Sequence, residues 1–196
     1  MMLEAQQSHS ISPKYMALLD EMSVHSVKHS QRTFYEHLVG VHDLLHSWGN
    51  QEHVCVAGLF HSIYGTQDFK NQLLGYNKRS RLKNELGEAA EELVFLFSVS
   101  DRRTFYANLS AIQQHQPCSV VNRVTTAYAA IARDTLINLL EMDVANWLEQ
   151  AERPGRANRV DYDTVQAVAK QLRGIISAQA SGALDNFFER QSREKR

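Results

Sequence analysis

Proline is scarce in this chain: three residues in 196, beside nine glycines. So little helix-breaking punctuation, with long stretches of 3.6-residue periodicity and no sustained alternation of period two, argues for an all-α protein. Cysteine is scarcer still. Its two residues exclude a disulfide framework, and Cys55, inside the most apolar stretch, reads as core packing. No apolar run approaches the roughly 18 residues that a membrane-spanning helix needs. Met1 to Ser10 lacks the basic-then-apolar pattern of a leader, so a cytoplasmic location is the default expectation. Neither sign of charge dominates. With 21 Lys and Arg against 22 Asp and Glu, a net charge of −1 gives no electrostatic case for nucleic acid or an anionic membrane. The one basic cluster, Lys78, Arg79, Arg81 and Lys83, reads as a solvated helix face. Walker loop, Rossmann fingerprint, nucleophile elbow and Cys-x-x-Cys are all missing.

What the chain does have is length enough for one core and a run of apolar or small residues, Val54 to Phe60, that ends on His61 before Gly65 breaks the helix. Helices are expected from about Pro13 to Lys28, Arg32 to Trp48, Glu52 to Tyr64, Arg79 to Ser98 and Thr125 to Gln150. Accessory helices follow over Asp161 to Arg173 and Leu184 to Arg190. Ser119 or Asn122 is the expected cap of the long fifth helix. The expected layout is a loose N-terminus over 1–10, a helical domain over 11–152, and a helical extension over 153–196 beyond a Pro154-Gly155 linker.

Helical phase selects the chemistry-bearing residues. Phe34, Leu38, Val41, Leu45 and Trp48 share one stripe, with His37 about 50° from its centre and therefore inward. His42 and Asp43 fall about 90° and 170° away, so that pair and His46 are expected on the outer face. Leu82, Leu86, Ala89, Leu93 and Phe97 line the fourth helix. Asp143 lies within about 50° of the stripe formed by Leu136, Leu139, Leu140, Val144 and Trp147. A carboxylate there requires a cation, a hydrogen bond or an ion pair with an inward Arg.

His37, His61 and Asp143 thus stand in order on three helices. The segments Glu36-His37-Leu38-Val39-Gly40-Val41 and Ala57-Gly58-Leu59-Phe60-His61-Ser62-Ile63 resemble the first-His helix and the His-Asp signature of the HD-domain superfamily. The chain is most similar there to the RelA/SpoT-type hydrolase domain. In that domain a basic segment, here His29-Ser30-Gln31-Arg32, precedes the first His, and a helix like Leu86-Gly87-Glu88-Ala89-Ala90-Glu91-Glu92-Leu93-Val94 follows the loop. The resemblance covers roughly Val27 to Gln150. Ser62 stands where the superfamily has its Asp, which disfavours a two-metal site, and Tyr64-Gly65 replaces acidic loop residues.

The resemblance implies an all-α, HD-like helical bundle and a metal-dependent enzyme acting on a small anionic metabolite, with phosphoester hydrolysis the leading chemistry. HD-type oxygenation at iron, or a catalytically inactive ligand-binding or protein-interaction module, are the alternatives. It implies His37, His61 and Asp143 as ligands of a divalent Fe, Mn or Zn ion. Two imidazoles and a carboxylate suit those metals and leave positions open. His61, Ser62 and Tyr64 are then the expected catalytic residues, and Arg32 and Tyr64 the groups that orient substrate.

Overall fold

The computed structural model describes residues 11–24, 28–29, 32–67, 69–152 and 162–194. The expected loose N-terminus, the Pro154-Gly155 linker and the Arg32 side chain lie outside the described residues. The architecture is a helical bundle: α1 (Pro13–Glu21), α2 (Phe34–Ser47), α3 (Glu52–Phe60), α4 (Arg79–Leu86), α5 (Glu88–Val99), α6 (Arg103–Ala107), α7 (Leu109–Gln113), α8 (Arg133–Ala151), α9 (Tyr162–Leu172) and α10 (Ala178–Glu194). Two small antiparallel hairpins accompany it, β1 (Lys28–His29) with β2 (Arg32–Thr33) and β3 (Cys118–Val121) with β4 (Tyr128–Ile131).

The start of α2 fixes the phase of His37. Thr33 Oγ1 accepts the Glu36 amide at 3.2 Å, and Glu36 Oε2 accepts the Thr33 amide at 2.8 Å. This reciprocal cap begins the helix three residues before its histidine matters. Helix α3, apolar from Val54 onward, packs against α2, α5 and α8, and every residue from Val54 to Phe60 is buried. Burial pushes the Cys55 thiol up to about 11, with Glu52 repulsion adding to it, so the sulfur stays protonated as core.

Three expectations are corrected. The fourth helix is two helices, because Gly87 sits at φ 87°, ψ 154°, a conformation essentially reserved for glycine. The break shifts the phase, so Ala90 is buried and Ala89, expected inside, is exposed. A Cβ at Gly87 would meet nothing within 4 Å. Gly87→Ala is therefore expected to cost about 1–3 kcal/mol through backbone strain alone, read as a lower melting temperature. In a continuous helix the same change would stabilise.

The long helix starts at Arg133, not Thr125, because residues 118–131 form the β3–β4 hairpin. Asn122 does not cap a helix: its side-chain oxygen accepts the amides of Val124 and Thr125 at 2.9 and 3.1 Å and so builds the hairpin turn. Four-residue strands are too short to show as periodicity. Finally, His42 is buried at 5% exposure, with Nδ1 at 3.0 Å from Asp43 Oδ1. Helix α2 packs against both α3 and α8, so its buried arc is wider than one stripe.

The C-terminal helices belong to the same core. Phe187 and Phe188 pack on Trp147 of α8, with ring centroids 5.1 and 6.1 Å away. Buried Glu141 of α8 accepts the Ser177 amide at the entry to α10 and the Asn50 side-chain amide at 3.3 Å. No helix among the described residues is long and apolar enough to cross a membrane.

Candidate functional site

The end of α3 and the second turn of α2 bring two buried imidazoles together. His37 and His61 are each 1% exposed, and their Nε2 atoms face each other at 3.3 Å. What lies behind each ring decides what lies between them. His37 Nδ1 is bonded to the Glu149 carboxylate of α8, and His61 Nδ1 donates to the Gly58 carbonyl at 2.7 Å. A carboxylate and a carbonyl only accept, so both Nδ1 atoms carry hydrogen, and in the neutral form each ring presents an Nε2 lone pair to the other. Two lone pairs at that distance repel unless a proton or a metal ion sits between them. Two imidazole nitrogens on one tetrahedral ion, each ~2.0–2.1 Å from it, stand ~3.3 Å apart, which matches the observed spacing. A carboxylate or backbone carbonyl behind each ring is also how metal-binding histidines are held.

Gly40 makes this arrangement possible. A Cβ there would lie 2.8 Å from Glu149 Cγ, so only glycine lets α8 deliver that carboxylate across α2 to His37. The His61 ring packs nearly perpendicular to Phe97 of α5, 5.5 Å between centroids, which helps fix its ring plane.

Asp143 takes two of the three kinds of partner expected for it, a hydrogen bond and an inward arginine. It is 9% exposed, and its Oδ2 accepts the Tyr106 hydroxyl at 2.6 Å while Arg102 Nη1 lies 3.3 Å from Oδ1. Arg102 in turn lies over the Phe97 ring, 4.3 Å from its centroid. Burial, and then the charge of Asp143, hold the Tyr106 hydroxyl well above its ordinary acidity range, so it remains a donor. In place of a three-ligand set, the structure pairs the two histidines and gives the carboxylate to a tyrosine and an inward arginine. Among the described residues, no group of three or more His, Cys, Asp and Glu is placed to hold a metal ion.

His37 of the first cluster and Arg102, Tyr106 and Asp143 of the second line one cavity of about 520 Å³ together with Ser62 and Thr66, and His61 is not among its described lining residues. That size is usual for a small-molecule site. Ser62 therefore faces the same space as His37. Tyr64 does not, and its expected substrate role is corrected. It is 2% exposed and donates to the fully buried Glu91 at 2.9 Å, where Arg79 also bonds Glu91 through Nε at 2.7 Å and Nη2 at 2.8 Å. The turn after α3 rotates the ring into the core, where burial, and then the hydrogen bond to Glu91, raise the pKa of the hydroxyl well above its ordinary value, so it remains a donor. The same network corrects the solvated reading of Arg79, which stacks on Phe95 at 3.5 Å.

Arg102, Tyr106, Thr66 and Glu149 are the site residues that sequence patterns missed. Arg102 was visible only as part of the Asp101-Arg102-Arg103 run after a helix, and Tyr106 lies on a five-residue helix too short to show a stripe. Glu149 depends on the close α2–α8 approach at Gly40, a long-range fact that no local pattern carries.

A family described as a domain of unknown function (DUF6817) matches residues 18–102, a span that holds His37, His61 and Arg102 and stops short of Asp143 and Glu149. No curated protein matches the chain. A solved structure described as a metazoan orthologue of SpoT that hydrolyses ppGpp and plays a role in starvation responses is similar over 93% of this chain and 97% of its own, at 15% identity and a TM-score of 0.53. At that identity the likeness establishes the fold, which is an HD-like helical bundle.

Proposed function

We propose that this protein is a metal-dependent hydrolase of a small phosphoester, working from the cavity beside the His37–His61 pair. The observation that carries the reading is the opposed pair of Nε2 atoms, each backed by an acceptor at Nδ1. The fold shared with a ppGpp-hydrolysing protein supports it. His37 and His61 would hold one divalent ion of Fe, Mn or Zn. Asp143, the carboxylate on the cavity wall, would complete the set by exchanging its bond to Tyr106 or Arg102. The chemistry such an ion supplies when bound is polarisation of a phosphoryl oxygen and activation of water. Arg102 would then turn its planar guanidinium to phosphate oxygens, and Ser62 and Thr66 would donate hydroxyl hydrogens to the same group.

The fit is partial, and that favours a second reading. Ser62 is a poorer ligand than the Asp of related enzymes, and Asp143 already has a hydroxyl and a guanidinium on it. A ligand-binding module without turnover is what remains if no metal supports hydrolysis. The deciding assay measures phosphate and pyrophosphate release from phosphomonoesters and ppGpp after loading with Fe, Mn or Zn in turn. Metal-dependent release that disappears in His61→Ala is expected. No release with any metal, alongside retained ligand binding, would contradict the hydrolase and leave the module.

A further inference from the structure

The cavity has two chemically different ends. Its polar end is made by His37, Ser62, Arg102, Tyr106 and Asp143, from α2, the turn after α3, the region of α6 and the middle of α8. From Asp143 the wall continues along α8 through Trp147 to Ala151, two helical turns or ~12 Å. There it meets Val165, Val168 and Leu172 of α9 and Leu184 of α10. The side chains along that stretch are mostly hydrocarbon. Asn146 and Gln150 also line it and are bonded to each other, Gln150 Nε2 donating to Asn146 Oδ1 at 3.1 Å, and Thr164 of α9 adds a hydroxyl.

Charge is just as informative. Among the described lining residues Arg102 is the one guanidinium or ammonium, and Asp143 stands against it at 3.3 Å. One arginine beside one carboxylate is poorly matched to the several charges of a nucleoside polyphosphate. It suits a single phosphate. Among the described α9 lining residues Thr164 is the one polar side chain, so a nucleobase and ribose would find few hydrogen-bonding partners there, whereas an aliphatic chain finds dispersion contacts along Val165, Val168, Ala169 and Leu172.

We propose that the ligand is a phosphate monoester with one anionic head and a linear apolar tail. The head lies at the His37–Arg102 end, and the tail of about six to ten carbons runs along α8 against α9, over the ~12 Å available. This rests on the polar end being the reacting end, as in the function proposed above. In it, the C-terminal helices set specificity, because α9 and α10 supply the apolar wall that the His-bearing helices lack.

The test is calorimetric titration of the full chain with n-alkyl phosphates of two, four, six and eight carbons, in chelator and again with manganese. Each added methylene is expected to tighten binding about four-fold, the equivalent of burying one methylene. Hexyl phosphate should bind about 100-fold or more tighter than ethyl phosphate. Hexanol, lacking the head, should bind at least about ten-fold more weakly than hexyl phosphate, the effect of a charge-assisted hydrogen bond. Val168→Asp should flatten the chain-length slope without altering metal content. Should that variant fail to fold, the wild-type slope still decides. A slope that is flat in the wild type, or ppGpp binding tighter than octyl phosphate, would overturn the proposal. Because the slope is read in chelator too, the two readings fail separately. A flat slope with metal-dependent hydrolysis overturns only the tail, and a steep slope without metal binding overturns only the metal.

Discussion

Replacing His61 with alanine should weaken divalent-metal binding by more than about 100-fold, and turnover with it, while the protein remains folded. The magnitude comes from comparison with the surrounding shell, whose loss typically costs about 10–100-fold in metal affinity. A direct ligand must exceed that. Glu149 provides the graded control. It sits behind His37 at Nδ1 and would not touch the ion, so Glu149→Gln keeps an acceptor oxygen there and should cost only about ten-fold. The ordering is the diagnostic part of the result. If His61 were a packing residue only, both variants would show equal metal binding, and His61→Ala would register solely as a lower melting temperature from the lost contact with Phe97. Metal titration of wild type and both variants, with melting curves in parallel, separates the two outcomes.

Arg79→Met is expected to destabilise the fold strongly although it lies away from the cavity. Glu91 is fully buried, with Arg79 and the Tyr64 hydroxyl as its partners. Removing one partner of a buried ion pair leaves an uncompensated charge and typically costs 3–5 kcal/mol; since the Arg79 side chain is 25% exposed, about 3 kcal/mol is expected here. For a chain of this size that is a fall of about 6–12 °C in melting temperature. Arg79→Met combined with Glu91→Leu should regain much of the loss, because the buried charge is gone and only the Tyr64 hydroxyl is left without its acceptor. A double variant as unstable as the single one would show that hydrophobic contact with Phe95, not charge pairing, is what Arg79 contributes.

The sequence made the inward histidines legible because both lie on helices whose apolar residues recur with a clear period. His37 sits beside the α2 stripe, and His61 ends the run that becomes α3. Asp143 was legible as an inward carboxylate for the same reason, and an inward arginine was among its expected partners. Which arginine was not legible, since Arg102 lies at the start of a five-residue helix and reaches Asp143 across 41 residues of chain. Tyr64 was misplaced because adjacency to His61 says nothing about rotation through a turn, and the buried Glu91 that captures it lies 27 residues on. The hairpin at 118–131 escaped detection because its strands are four residues long and the second is largely exposed. Strong local periodicity was readable; contacts that depend on one helix approaching another were not.

The most direct test of the central claim is elemental analysis of the tag-free protein, purified without chelator, beside its His37→Ala/His61→Ala double variant. The opposed Nε2 atoms predict close to one equivalent of iron, manganese or zinc in the wild type and none in the variant. Absence of metal from both proteins, even after reconstitution with each of the three ions, would contradict the account and leave a proton between the two rings.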